Sequence, residues 1–162
     1  MSTVALQPAT SRFARRNAGK TLEKPISLDY VRRFLSAEDF LRLEAIYPER
    51  KVHIWGVKFE RLARWANLFS DDTLVLFRKD NLVYLWGLIT LTTFNEELSL
   101  SLWGPDERGE PWGLVYFLKS VESIRLPASR VNEAAGLAND WNWQGFNVIK
   151  PPRADAVIDL VR

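Results

Sequence analysis

The sequence predicts one α+β domain in which short helices pack on a small curved β-sheet or partial barrel. The length of 162 residues, with 47% hydrophobic and 26% charged residues, fits a single globular domain. Five or six short apolar runs rich in Val, Ile, Leu and aromatic residues alternate with segments of helical periodicity. Short strands interspersed with short helices favour helices layered on one sheet.

The chain divides into four predicted segments. Residues 1–25 lack apolar periodicity and contain Ser, Thr, Ala, Pro and basic side chains, which predicts a disordered basic arm. Residues 26–50 form a helical lead-in, with Ser27 and Ser36 placed to cap two short helices. Residues 51–150 form the main domain, and residues 151–162 form a tail or short helix.

Within the main domain the first predicted strand is VHIWGVK at 52–58, followed by a helix over 59–69. Asp71 and Asp72 turn the chain into a hairpin whose own turn lies at residues 79–81. LSLSL at 98–102 fits either a strand or a short helix. Residues 113–127 predict a pair of strands, and a last strand runs from Phe146 to Ile149.

The positive charge is concentrated at the start of the chain. The net charge is only +2, yet the first 24 residues hold five basic side chains and one acid, Glu23. The remainder is therefore slightly acidic, which places the basic character on the predicted arm. The five basic residues are Arg12, Arg15, Arg16, Lys20 and Lys24.

Few residues suited to catalysis are present. The absence of Cys excludes disulfides and thiolate chemistry, and the single histidine, His53, lies within an apolar strand. No phosphate-binding loop, nucleophile elbow or metal-ligand spacing occurs, which predicts a non-enzyme without metal or cofactor. Nuclease or NTPase activity would come from a partner chain or a missing domain. An enzyme acting on a small ligand would require His53 in a pocket beside a carboxylate.

A cytoplasmic location is expected because no apolar run has the length of a signal-peptide core or a membrane span.

Tryptophan is over-represented, with seven in the chain, and four of them are followed directly by Gly. A Gly beside a Trp at the end of a strand allows the backbone to approach a ligand, and indoles stack on planar bases. Trp141 and Trp143 either cover such a pocket or plug the end of the barrel. The four Trp-Gly pairs begin at Trp55, Trp86, Trp103 and Trp112.

The order of these motifs resembles the EVE and YTH-like branch of the PUA-like superfamily, in particular the modified-base-sensing domains of modification-dependent restriction proteins. The resemblance runs from about Val52 to Ile149. Its motifs are VHIWGVK at 52–58, DDTLVLFRKDNLVYLWGLIT at 71–90, the segment 98–118 around Trp103, and WQGFNVI at 143–149.

This resemblance implies a domain that accepts a flipped base into an aromatic cage. Trp55 and Trp103 fall on the two walls, Gly56 on a backbone contact, and Trp65 is a third aromatic candidate. The expected readers of the edge of the base are Asn95, Ser99, Ser101 and Asp140. The expected phosphate contacts are Lys58, Arg61, Arg64, Arg78, Lys79 and the N-terminal arm.

The predicted function is recognition of a methylated cytosine or adenine in nucleic acid, with DNA favoured over RNA. A nuclease or NTPase subunit is expected as a further partner. The alternative is a protein-interaction or scaffolding domain that uses exposed aromatic side chains.

Overall fold

A seven-stranded open sheet organises the chain in the computed structural model, which describes residues 3–58 and 72–162. The strand order is β2-β3-β6-β5-β4-β1-β7, and register shifts within β5 bend the sheet. The predicted α+β class is therefore confirmed. The strands are β1 (Val4–Pro8), β2 (Ile26–Ser27), β3 (Lys51–Val57), β4 (Leu74–Lys79), β5 (Leu82–Phe94), β6 (Leu114–Pro127) and β7 (Asn147–Ile149).

The N-terminal segment belongs to the fold, so the prediction of a disordered arm over residues 1–25 is wrong. β1 lies between β4, which it pairs in parallel, and β7, which it pairs antiparallel. Val4, Ala5 and Leu6 have no solvent exposure. A strand covered on both faces has no apolar–polar alternation, and three apolar residues are too short a run to predict it from sequence.

Of the six helices in the described residues, four begin at a polar residue whose side chain caps the first turn, and α5 and α6 begin after a proline. Ser27 and Ser36 accept hydrogen bonds from the first-turn amides of α2 and α3, as the sequence predicted, and Ser11 caps α1 in the same way. A single 3₁₀ turn, Arg32–Phe34, follows α2. The helices are α1 (Arg12–Thr21), α2 (Leu28–Val31), α3 (Ala37–Ile46), α4 (Glu96–Trp103), α5 (Ala128–Ala134) and α6 (Arg153–Val161).

The structure decides between strand and helix for residues 98–102 and between one strand and two for residues 114–127. LSLSL at 98–102 lies within α4, where Leu98 and Leu102 share the buried face. Residues 114–127 form one long strand, β6, rather than a strand pair, because β5 accompanies it along its whole length. The predicted turn between β4 and β5 is confirmed, with Asp80 in the left-handed region at φ 55°. The predicted helix over 59–69 lies outside the described residues.

Both faces of the sheet are covered. One face packs against α1, the loop containing Phe146, and the ring of Trp55. The opposite face packs against α5, α6 and Trp143, and a third cluster joins α2, α3 and α4 to β3 and β6. Among the described residues, no helix has the length and apolar character required to cross a bilayer.

Candidate functional site

A pocket of about 240 Å³, open to solvent at its mouth, lies where four chain segments meet. The end of β1 and the first turn of α1 form one side, and the end of β3 forms the floor. Trp112 and the loop 143–146 close the remaining sides. The volume is just below the range of roughly 300 to 1,000 Å³ typical of small-molecule pockets, so the pocket has room for one small group.

The predicted pair of facing walls, Trp55 and Trp103, does not exist. The two ring centroids lie 6.4 Å apart with the planes at 60°, which is a direct edge contact without a slot between the rings. Trp103 is 3% exposed and does not border the pocket, whereas Trp55 does. Trp103 therefore supports Trp55 from behind, and Phe77 supports the same indole through a second edge contact at 5.9 Å.

Polar contacts hold Trp103 in this position. Its Nε1 donates to Thr21 Oγ1 at 2.9 Å, and the Thr21 hydroxyl donates to the carbonyl of Ile54 at 2.7 Å. The Arg16 guanidinium donates to the backbone carbonyl of Trp103 at 3.1 Å. α1, β3 and α4 are thereby connected beneath the pocket.

Trp112 and Trp143, rather than Trp103, border the pocket together with Trp55. Trp112 is partly buried, and the Lys58 ammonium lies 5.1 Å from its ring centroid. Trp143 adopts a φ of 40°, which is unusual for an aromatic residue. The repeated Trp-Gly pair pointed to Trp112, but local sequence does not distinguish it from Trp103.

The position of Trp143 is set by Asn132 and Arg78. Trp143 Nε1 donates to Asn132 Oδ1 at 2.6 Å, and the Asn132 amide nitrogen donates to the carbonyls of Asn139 and Trp141. The Arg78 guanidinium lies 5.3 Å from the Trp143 ring centroid. Trp143 borders the pocket, yet its side chain is 1% exposed and packs in the cluster that contains α5 and α6.

Lys58 and Asp106 connect the end of β3 to the loop 104–113. The Lys58 ammonium pairs with the Asp106 carboxylate and also donates to the carbonyl of Pro111 at 3.3 Å. Burial alone would raise the pKa of Asp106, but Lys58 and the backbone N–H groups of Glu110 and Arg108 outweigh burial and lower that pKa. This pair fixes the loop that presents Trp112.

A second, narrow cavity of about 10 Å³ lies behind the wall formed by Trp55, Gly56 and Trp112, with Asn17 and Trp103 on its other sides. Among the described residues, three buried side-chain polar atoms have no hydrogen-bond partner in the protein: Asn17 Oδ1, Trp55 Nε1 and Trp112 Nε1. All three belong to residues around this cavity. Each buried polar atom without a partner lowers the stability of the fold by about 1–3 kcal/mol.

The four residues predicted to read the edge of the base do not border the pocket. Asn95 caps α4 and donates to the carbonyl of Phe34 at 2.7 Å. Ser99 donates to the carbonyl of Glu96, and Ser101 forms a hydrogen bond with the Tyr30 hydroxyl. Asp140 is exposed in the loop before Trp141.

Of the side chains predicted to contact phosphate, Arg78 and Lys79 form hydrogen bonds within the protein. Arg78 is buried, donates to the carbonyls of Asp80 and Trp141, and has a pKa lowered by that burial. Lys79 donates to Glu23 at 3.3 Å. Trp65, Arg61 and Arg64 lie outside the described residues.

Four of the five basic residues of the N-terminal segment lie on α1, the first turn of which borders the pocket. Ser11 and Ala14 of this helix border the pocket, and α1 contains no acidic residue. Arg15 pairs with Asp80 at 2.7 Å, while Arg12 and Lys20 are exposed and form no ion pair with any described residue. Arg12 lies next to the pocket residue Ser11, whereas Lys20 borders a separate pocket near the other end of α1.

His53 forms a hydrogen bond with the backbone of Leu22. Its Nδ1 lies 2.7 Å from the carbonyl oxygen of Leu22, and burial lowers the pKa of the ring against the raising effect of that hydrogen bond. His53 is not among the residues that border the pocket. The condition stated above for an enzyme acting on a small ligand is therefore not met.

The open, bent sheet with helices on both faces is an arrangement that this chain shares with two solved structures. The chain is similar over 99% of its length to the N-terminal domain of Thermococcus gammatolerans McrB bound to m5C DNA, with a TM-score of 0.74 and 17% identity, and it covers 97% of that domain. It is also similar to a mutant ZmASCH protein from Zymomonas mobilis, with a TM-score of 0.51, 10% identity and 97% of each chain covered. At these identities the similarity establishes the fold.

No protein-family model matches the sequence, and no curated protein sequence matches it either.

Proposed function

We propose that this protein recognises a modified base in DNA by accepting the extruded base in the pocket bordered by Trp55, Trp112 and Trp143. The observation that supports this most directly is an aromatic-walled pocket with room for one small group, in a fold shared over its full length with a domain bound to m5C DNA. The cage differs from the one the sequence suggested, because Trp112 and Trp143 replace Trp103.

The energetics favour an aromatic pocket of this kind. Extruding a base costs a few kcal/mol of lost stacking and pairing. Contact between a base and an aromatic side chain returns about 1–3 kcal/mol. A methyl group on the base adds roughly 0.8 kcal/mol when it is buried against apolar walls such as Pro8, Ala14 and Val57.

The charge distribution favours a nucleic acid rather than a neutral ligand. α1 presents Arg12 to solvent directly after Ser11, which borders the pocket, and Lys20 to solvent near the other end of the helix. Contacts from such residues to phosphates position a duplex without reading its sequence. In this proposal the phosphate contacts come from α1, and not from a disordered arm as the sequence suggested.

The test is a pair of titrations with short duplexes that differ in one 5-methylcytosine. We expect the wild-type protein to bind the methylated duplex more tightly, by roughly fourfold for one buried methyl group. Equal affinities for the two duplexes, and for a second pair carrying methylated adenine, would remove the proposal.

Two variants locate the binding in the pocket. Trp112→Ala removes a pocket wall, so we expect a loss of affinity of about fivefold or more, which corresponds to about 1–3 kcal/mol. Trp141→Ala is the matched control because Trp141 is also partly buried but does not border the pocket. Melting temperatures of both variants separate a loss of binding from a loss of fold.

The alternative, a protein-interaction domain, stays a prediction. The large hydrophobic side chains exposed among the described residues are Tyr30, Leu41, Phe94 and Leu100. Leu41 lies on α3, Phe94 is the last residue of β5, and Leu100 lies within α4. A nuclease or NTPase partner likewise stays a prediction and would be sought by co-purification.

A further inference from the structure

We infer that the narrow cavity behind the pocket binds one water molecule, which joins Asn17 to the indoles of Trp55 and Trp112. In this arrangement the water accepts hydrogen bonds from Trp55 Nε1 and Trp112 Nε1 and donates one to Asn17 Oδ1. The water site itself does not depend on the proposed function, whereas its effect on base binding rests on that proposal.

Three of the five residues that line the cavity each have a buried side-chain polar atom without a hydrogen-bond partner in the protein. No other residue within 3–58 and 72–162 has such an atom. Buried polar groups in folded proteins are nearly always paired, either with the protein or with ordered water. Three exceptions around one cavity therefore indicate a shared polar partner inside it.

The cavity has the size and the chemistry of a site for one water molecule. Its volume is about 10 Å³, and a single buried water needs roughly 10–15 Å³. An indole N–H only donates and an amide oxygen only accepts, so the partner of the three atoms must both accept and donate. Water does both, whereas a metal cation accepts no hydrogen bond and an anion donates none.

The buried face of α1 places Asn17 at this cavity. Asn17 and Thr21 lie one helical turn apart on that face, and Asn17 is 3% exposed. Thr21 Oγ1 accepts a direct hydrogen bond from the indole of Trp103 at 2.9 Å. Trp55 and Trp112 have no direct partner of this kind, so the water supplies the equivalent link from Asn17.

The water connects α1 to two indoles that border the pocket. Trp55 and Trp112 line the pocket as well as the cavity, so a hydrogen bond to each Nε1 restricts the rotation of both rings. Walls that are ordered before the ligand arrives lose less entropy on binding. Asn17 is therefore a positioning residue, because it lies outside the pocket and acts on base binding through the water and the two indoles.

NMR spectroscopy of the ¹⁵N-labelled wild-type protein tests the water site. We expect rotating-frame Overhauser cross-peaks between water and the Nε1–H of Trp55 and of Trp112, with the sign of a dipolar contact rather than of proton exchange. Trp143 is the matched control, since its ring is buried and its Nε1 donates to Asn132 Oδ1 at 2.6 Å. Missing cross-peaks at Trp55 and Trp112, or equal cross-peaks at Trp143, would overturn the inference.

Asn17→Leu tests the positioning role, because Leu removes the acceptor and fills the cavity. We expect both cross-peaks to disappear together. The affinity for the methylated duplex should fall by about threefold or more, since the two rings must then be ordered during binding. Cross-peaks that persist in this variant would show that the water does not contact residue 17.

Asn17→Ala is the second variant, and it decides the question if Asn17→Leu does not fold. Ala removes the acceptor but leaves space for the water. The Nε1–H resonances of Trp55 and Trp112 should both shift, because the water has lost its acceptor, while the resonance of Trp143 stays in place. Unchanged resonances of Trp55 and Trp112 would contradict the link to Asn17.

These outcomes are separable from a failure of the proposed function. A protein that shows the cross-peaks but does not prefer the methylated duplex retains the water site and refutes the proposed function. A protein that prefers the methylated duplex but lacks the cross-peaks refutes only the water site. If the water is present and Asn17→Leu binds the methylated duplex as tightly as the wild type, the positioning role alone is wrong.

Discussion

The indole of Trp103 packs directly on the backbone of Gly56. A Cβ at Gly56 would lie 2.6 Å from Trp103 Cζ3 and 3.3 Å from the carbonyl oxygen of Leu114. Gly56 is therefore required by the packing between β3 and α4, whereas the sequence had suggested that it lets a ligand approach. Trp103 also contacts the ring of Trp55 edge-on. Trp103 therefore helps to position the indole of Trp55 in the floor of the pocket, although Trp103 itself lies outside the pocket.

Gly56→Ala should destabilise the protein by about 1–3 kcal/mol because the new methyl group overpacks the Trp103 ring. Chemical denaturation followed by tryptophan fluorescence measures this change. Gly19→Ala is the control, since a Cβ at Gly19, in α1, meets no atom within 4 Å. That control should be neutral or stabilising by up to about 1 kcal/mol. Equal stability of the two variants would contradict the packing role of Gly56.

Asp106→Asn should loosen the loop that presents Trp112 and lower the stability by about 1–3 kcal/mol at neutral pH. The fold lowers the pKa of Asp106 from its ordinary value of 3.8, so its ionised form stabilises the protein above pH 3.8. As the pH falls through the lowered pKa, that contribution is lost. Urea denaturation should therefore show the wild-type advantage shrinking below pH 3.8. An advantage that stays constant down to the lowest pH at which both proteins fold would contradict this role.

His53 should titrate below its ordinary pKa of 6.5 because burial disfavours the charged ring. The neutral ring then stabilises the fold above pH 6.5, and stability declines as the pH falls through the lowered pKa. Since the chain has one histidine, its NMR signal gives the pKa without ambiguity. His53→Gln should abolish the decline in that pH range, and a measured pKa above 6.5 would contradict the account.

Removing the two free cations of α1 should weaken DNA binding mainly at low salt. For the Arg12→Ala, Lys20→Ala double variant, the slope of log affinity against log salt should decrease in magnitude by about 2 if both side chains contact phosphates. The Arg125→Ala, Arg130→Ala double variant is the control, because these exposed residues lie on β6 and α5, away from the pocket lining. An equal change in slope for both double variants would remove α1 from the interface.

The sequence predicted the sheet, the β4–β5 turn and the place of Trp55, because apolar strands and turn residues are local signals. It missed β1, since Val4, Ala5 and Leu6 pair in parallel with residues about 70 positions later, and long-range pairing leaves no local pattern. It also predicted Trp103, rather than Trp112, beside the pocket. Both precede Gly, but Trp103 ends α4 on the buried face of that helix, which only the tertiary packing determines.

Extrusion of the base is the central claim, and the affinity for a mispaired target tests it most directly. A 5-methylcytosine opposite adenine costs less to extrude than one opposite guanine. We therefore expect the protein to bind the mispaired duplex more tightly, by roughly tenfold for a saving of about 1.4 kcal/mol. Equal or weaker binding to the mispaired duplex would show that the base is recognised within the helix, and would contradict its insertion among Trp55, Trp112 and Trp143.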